Sequence, residues 1–286
     1  MTVTGSSRGA ATTAATDLKA KHRAMWASGD YAGVAEQVIP TMGQALVEAC
    51  RVQPGQTVLD VAAGSGNAAI PAARLGADVV AADLTPELLE RGKAAAEGEG
   101  LKLEWREADA EAMPFDDDTF DVTLSCVGVM FAPHHQASAD ELVRVTRPGG
   151  TIGLANWTPE GFIGRMFATM KPYVAPPPPG ASPPPLWGKD EHVRELFGDR
   201  VERVVAERRM QRIDRFGSPE EFRDFFKANY GPTIAAYKQI ADQPDKVASL
   251  DAELAELSRE AFAATEGTPD AGTMLWEYLL LTGRVR

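Results

Sequence analysis

The chain has 286 residues, 44% of them apolar and 24% charged, the mix of an ordinary globular protein and not of a disordered one. No apolar stretch approaches the ~20 residues that a membrane-spanning helix needs. With 29 basic against 41 acidic side chains the net charge is −12, which repels a phosphate backbone and argues against nucleic acid as a partner.

Residues 1–16 are small and polar, with Arg8 their only charge. They lack the continuous apolar core of a secretory signal and read as a disordered tail. Residues 17–50 are helical in pattern, broken at Gly29-Asp30 and at Pro40. Cys50 and Cys126 are the only cysteines and neither has zinc-ligand spacing, so no disulfide scaffold or metal site is expected and a reducing, cytoplasmic location fits.

From Gln56 a strand–helix alternation begins. Val58, Leu59 and Val61 form a short β-like run that ends in Gly64-Ser65-Gly66, and Asn67–Leu75 reads as a helix with Gly76 beyond its end. A second strand over Asp78–Ala82 ends at Asp83, and Thr85-Pro86 opens the next helix. Leu101–Glu107 alternates like a strand, Asp116–Asp118 makes a solvated turn, and Phe120, Val122 and Leu124 share one face of a fourth strand. Ala139–Val145 is helical, Arg147–Gly150 breaks it, and Thr151–Asn156 is a strand. This order predicts an α/β fold, a mostly parallel sheet with helices on both faces.

After Trp157 the regularity lapses. The prolines at 176–179 and 183–185 predict a stiff extended connector that is neither helix nor inner strand. A strand over 201–213 follows. A capping box at Ser218–Glu221 opens a helix carrying Phe222, Phe225, Phe226 and Tyr230, and Leu250, Leu254, Leu257 and Ala261 mark another helix before a last strand over 273–282.

Ligands of open parallel sheets bind beyond the carboxyl ends of the strands. Three such ends carry suggestive residues. Gly64 and Gly66 let the backbone pass close beneath a ligand, and the helix after them offers free N–H groups. Asp83 can accept from both hydroxyls of a ribose. Asp109-Ala110 can meet an adenine amino group. A Gly-x-Gly turn alone does not separate a nicotinamide dinucleotide from another adenosine ligand.

The ordered set does separate them. Val58–Asn67, Ala81–Pro86, Ala108–Phe115, Phe120–Val122 and Val145–Gly150 together resemble the class I S-adenosylmethionine-dependent methyltransferases, in particular the small-molecule branch of ubiquinone- and menaquinone-biosynthesis methylases. The resemblance is strong over roughly residues 50–157 and loose outside them. It implies a Rossmann-like seven-stranded sheet and S-adenosylmethionine as cofactor. It implies that Gly64 and Gly66 line the methionyl end, that Asp83 holds the ribose, that Asp109 and Ala110 meet the adenine, and that Asp60, Ala62 and Leu84 belong to the same cofactor-binding set. Cys126 and Val127 would then stand beside the sulfonium. Ala62-Ala63 departs from the Gly-Cys pair of many members.

Methyl transfer from a sulfonium needs alignment and exclusion of water, with a general base only for a hydroxyl acceptor. His134 and His135, just past the fourth strand, are the candidate base or acceptor contacts, and Tyr31 is a candidate lining residue. The expected partition is a helical cover over 17–50, a core of 51–213 and 269–286, and a helical lid over 214–268. The expected reaction moves a methyl group to a small, partly apolar metabolite; the alternative is a non-catalytic cofactor-binding sensor or partner subunit. Ser125–Gly128 lacks the Asn/Asp-Pro-Pro-aromatic motif of amino-methylating nucleic-acid enzymes. The atom methylated and the oligomeric state are left open.

Overall fold

The structure is a computed structural model that describes residues 18–286; the tail expected over 1–16 lies outside the described residues. Three short helices lead in: α1 (18–26), α2 (Tyr31–Val38) and α3 (Met42–Ala49), separated at Gly29-Asp30 and Pro40 as the sequence predicts. Asp30 caps α2 by accepting the Gly33 N–H at 3.2 Å.

The Rossmann-like half follows as β1 (Thr57–Val61), α4 (Ala69–Arg74), β2 (Asp78–Asp83), α5 (Pro86–Gly98), β3 (Glu104–Glu107), β4 (Phe120–Cys126), α6 (His135–Val145) and β5 (Thr146–Trp157). Successive residues of β1 and β4 are buried, so both faces of the sheet are covered there. Pro86 takes the first position of α5, where its missing N–H has no intrahelical partner to lose.

Beyond β5 come α7 (Phe162–Met170), α8 (Asp190–Phe197), β6 (Val201–Ile213), α9 (Pro219–Asn229), α10 (Gly231–Gln239), α11 (Pro244–Ala263) and β7 (Met274–Val285). The seven strands run in the order β3-β2-β1-β4-β5-β7-β6. The first five are parallel, while β7 lies antiparallel between β5 and β6. Strand order reverses between β1 and β4, which fixes the crevice where a ligand enters. Among the described residues no helix is long and apolar enough to cross a membrane.

Several expectations change in detail. The strand expected over 101–107 pairs only from Glu104. α6 starts at His135, four residues before the apolar pattern begins. α7, α8 and α10 were not legible, because each is short and owes its helicity to tertiary packing more than to propensity. Phe162 of α7 stacks on Trp276 of β7 at 4.6 Å, and Phe222 and Phe226 of α9 close on the same indole. Part of the proline-rich connector is helical after all: Pro184–Gly188 forms a single 3₁₀ turn that buries Trp187 completely.

Candidate active site

The carboxyl ends of β1, β2, β3 and β4 frame a cleft that is partly open to solvent. Ala62, Ala63 and Gly64 enter it after β1, Asp83 and Leu84 after β2, Asp109 and Ala110 after β3, and Cys126 and Val127 after β4. Lys19, His22 and Trp26 of α1 and Tyr31 of α2 roof it. Of the residues expected from the sequence, Tyr31, Ala62, Gly64, Asp83, Leu84, Asp109, Ala110, Cys126 and Val127 therefore meet around one space.

Two backbone turns at the strand tips are strained. Ala62 has φ 53° and Val127 φ 57°, the left-handed region that costs an ordinary residue roughly 1–2 kcal/mol. Surrounding bonds hold both. The Ala63 N–H donates to Ala82 O at 3.0 Å, and the Val127 N–H donates to Ala155 O at 2.7 Å. Ser125 Oγ donates to Val61 O at 2.7 Å and accepts the Val129 N–H at 2.9 Å, tying the tip of β1 to the exit of β4. Gly128 is obligatory in that contact, since a Cβ there would lie 2.1 Å from Ala62 O.

Asp83 braces the two loops beside it. Its Oδ2 accepts the Gly64 N–H and its Oδ1 the Thr85 N–H, both at 2.8 Å. Burial pushes its carboxyl above the ordinary range, and those N–H bonds oppose the shift. Asp60 lies beneath the turn and off the cleft wall, only 1% exposed. Its Oδ2 accepts the Ala69 N–H at 2.8 Å, and its Oδ1 is buried without a hydrogen-bond partner among the described residues. Burial pushes Asp60 up to about 7 against the pull of the Ala69 and Ala68 N–H groups, with Asp83 adding repulsion. Asp83 on the cleft wall fits the ribose of S-adenosylmethionine, and the negative charge of Asp60 beneath the turn suits the cationic methionyl end above it. Leu84, Leu88, Ala108 and Ala110 offer an apolar slot that fits its adenine.

At the adenine end, Lys19 Nζ lies 2.8 Å from Asp109 Oδ1 and 2.7 Å from Glu111 Oε2. Burial opposes ionisation of Glu111, but bonds from Lys19 and His134 hold its carboxyl below the usual value. His22, beside them, is pushed down by burial and then by the Lys19 charge. Lys19, His22 and Trp26 are spaced three and four apart on one helical face, the signal by which the sequence could have given this roof.

Three sequence expectations need correction. His134 does not line the cleft: its N–H donates to Glu111 Oε1 at 2.7 Å and its Nδ1 lies 3.0 Å from Glu111 Oε2. His135 does not either. As the first residue of α6 it is turned against α8, 2% exposed, with Nδ1 2.9 Å from His192 Nε2 and its ring against Trp187. Burial and then His192 push it down to about 4, so it is neutral at physiological pH. Gly66 is also absent from the wall. Its φ of 89° and a Cβ position 2.8 Å from the Trp105 ring make it a packing glycine.

Tyr31 and Val127 also border a second, small apolar cavity with about 20 Å³ of free space. Val34, Val38, Ile39, Trp157, Ile163, Phe226, Tyr230 and Trp276 complete its walls. Among the described residues no charged side chain lines it.

Comparison with known proteins agrees with this geometry. A methyltransferase domain model matches residues 59–154. The uncharacterized protein Rv1403c of Mycobacterium tuberculosis is 52% identical over 263 residues, covering 92% of this chain and 93% of that protein. A demethylmenaquinone methyltransferase of Clavibacter sepedonicus is 36% identical over 124 residues, 43% of this chain and 50% of that enzyme. Among solved structures, a putative methyltransferase from Bacillus halodurans superposes with a TM-score of 0.56 at 21% identity, covering 85% of this chain and 97% of its own, which is a likeness of fold.

Proposed function

The chain belongs to one family with the mycobacterial protein and, through the domain over 59–154, to the S-adenosylmethionine-dependent methyltransferases, and from that premise we propose that it methylates a small, partly apolar metabolite. The observation that carries the acceptor class is the apolar chamber that meets the cofactor cleft at Tyr31 and Val127. An acceptor with its reacting atom at the junction meets a wall without polar surface there.

Bound S-adenosylmethionine supplies an electrophilic methyl group; the chain supplies position and dryness. Asp83 holds the ribose hydroxyls, and Asp60, beneath the turn, braces the loop that meets the methionyl end through the Ala69 N–H. Asp109, steadied by Lys19, meets the adenine. No histidine or carboxylate of the described residues lines the chamber. Burial pushes the Tyr31 and Tyr230 phenols and the Cys126 thiol well above their ordinary values, so each stays protonated at neutral pH and none serves as a base. Alignment and water exclusion then carry the rate, as the chemistry of a sulfonium methyl allows.

Residues 214–268 act as a lid in this reading. α9–α11 stand between β6 and β7, and Phe226 and Tyr230 reach the chamber wall. The −12 net charge supports a small molecule in preference to nucleic acid. Titration of the chain with S-adenosylhomocysteine by calorimetry tests the cofactor assignment, with saturable one-to-one binding expected and its absence fatal. Release of S-adenosylhomocysteine from S-adenosylmethionine with a panel of apolar metabolites, and none with bulk RNA or DNA, tests the acceptor class.

A further inference from the structure

At the adenine end of the cleft one lysine is shared between two acids. Asp109 and Glu111 flank Ala110 in the loop after β3. Lys19 of α1 reaches both, 2.8 Å from Asp109 Oδ1 and 2.7 Å from Glu111 Oε2. The Lys19 and Glu111 side chains are 17% and 9% exposed, so salt and water screen this contact little. Asp109 Oδ1 also accepts the Glu111 N–H at 3.0 Å. Its Oδ2 takes no hydrogen bond from the described residues, and the side chain stands on the cleft wall. One oxygen of Asp109 is thus spent on the protein, and the other is left for a ligand.

Glu111 is itself off the cleft wall and is gripped from the opposite side. The His134 N–H donates to Oε1 at 2.7 Å, and His134 Nδ1 lies 3.0 Å from Oε2. An ammonium with two carboxylates in reach divides between them. With only one in reach, it is drawn to a position where it meets both oxygens of that group. The charge of Glu111, fixed by His134, therefore keeps Lys19 to one side of Asp109. A lysine released from Glu111 would cover Oδ2 and compete with any amine that the ligand brings there. A carboxylate oxygen only accepts, so a free Oδ2 welcomes an amino group and repels a carbonyl.

Resting on the methyl-transfer reading above, we infer that Glu111 and His134 are positioning residues for the cofactor. They hold Lys19 to a single oxygen of Asp109, leave the other for the 6-amino group of adenine, and so set the preference for adenine over a purine with a 6-oxo group. Neither touches the ligand; both act through Lys19 and Asp109.

The test compares two ligands on the full chain by calorimetry: S-adenosylhomocysteine and S-inosylhomocysteine, which carries a 6-oxo group in place of the 6-amino group. Their affinity ratio is a readout that a merely structural role leaves alone, since a loosened fold weakens both ligands alike. The wild type is expected to prefer S-adenosylhomocysteine about tenfold or more. Glu111→Gln keeps the shape and removes the charge, and it should reduce that preference about threefold or more, chiefly by weakening S-adenosylhomocysteine. His134→Ala should act in the same direction, and with a side chain 41% exposed it can be truncated if Glu111→Gln does not fold. In a Lys19→Met background Glu111→Gln should lower the preference no further, because the lysine it restrains is gone. Melting curves verify that each variant is folded. Equal affinities of the wild type for the two ligands overturn the inference. So does a preference unchanged in folded Glu111→Gln or in His134→Ala, or a Glu111→Gln effect that persists in full without Lys19. The methyltransferase reading fails on a different result, no binding of either ligand to the wild type, which would take this inference down with it.

Discussion

Replacing the buried Asp60 by asparagine separates what this acid costs the fold from what it does for the ligand. The exchange keeps the shape, and the amide oxygen can still accept the Ala69 N–H that Oδ2 now accepts at 2.8 Å. The amide NH₂ then takes the place of the unpaired Oδ1. Burial raises this carboxyl from an ordinary 3.8 to about 7. Its folded-state value lies above its unfolded value, so its contribution to stability is present in full below about pH 4 and is lost as pH rises toward 7. At 1.36 kcal/mol per pH unit the loss is about 2 kcal/mol at pH 5 and about 4 kcal/mol at pH 8. The amide of the variant stays neutral throughout. The variant should therefore gain on the wild type as pH rises, the gap widening by about 2 kcal/mol between pH 5 and pH 8, while groups common to both chains cancel. Denaturant melts of the two proteins at matched pH measure it. S-adenosylmethionine binding should change the other way, weakened severalfold at pH 8, because the variant removes a negative charge from beneath the loop that meets the cationic methionyl end. A stability difference flat across pH 5–8 would refute the burial argument, and unchanged affinity would refute the influence of its charge on the ligand.

Ala62→Gly should stabilise the fold by up to about 1 kcal/mol, since glycine accepts the 53° φ without steric strain but loses more chain entropy, and should raise the melting temperature by about 2–4 °C; a lower melting temperature contradicts the strain reading. Lys19→Met unties α1 from Asp109 and Glu111 and should speed dissociation of S-adenosylhomocysteine severalfold in stopped-flow experiments, with Lys19→Arg restoring much of the loss. Equal dissociation rates for wild type and Lys19→Met would remove the strap from the binding site. Hydrogen exchange across 214–268 should slow when S-adenosylhomocysteine and an acceptor bind together, and identical exchange with and without them would deny the segment a lid's role.

Much of the sheet was legible because β-like apolar runs, turns and caps agreed with one another. Thr85-Pro86 and Ser218–Glu221 sit where local chemistry alone places a helix start. The strand tips carried the site for the same reason: Asp83 and Asp109 stand at or just past the ends of strands, and a strand end fixes where its next residue stands. The histidines failed because a loop residue is positioned by where the next helix begins. Starting α6 at His135 carries that ring toward His192 and Trp187, a contact 57 residues distant in sequence for the histidine pair. Lys19 lies 90 residues from Asp109, and its pairing has no local signature beyond helical spacing. The second cavity is farther still from sequence, assembled from α2, β4's exit, β5, α7, α9 and β7 at once.

The placement of β7 between β5 and β6 has a consequence for how the protein is made. Synthesis proceeds from the amino end, so β1–β5 can assemble while the outer margin of β5 still lacks its neighbour. β6, which pairs with β7 along nearly its whole length, must wait as well. Until 274–285 leave the ribosome, two long strands present open backbone to any passing chain, the arrangement most prone to mispairing. The aromatic side of the chamber waits too, because Trp276 arrives with that same strand. A nascent chain can thus form its nucleotide half early, yet that aromatic wall closes only when the later strand slides into the gap.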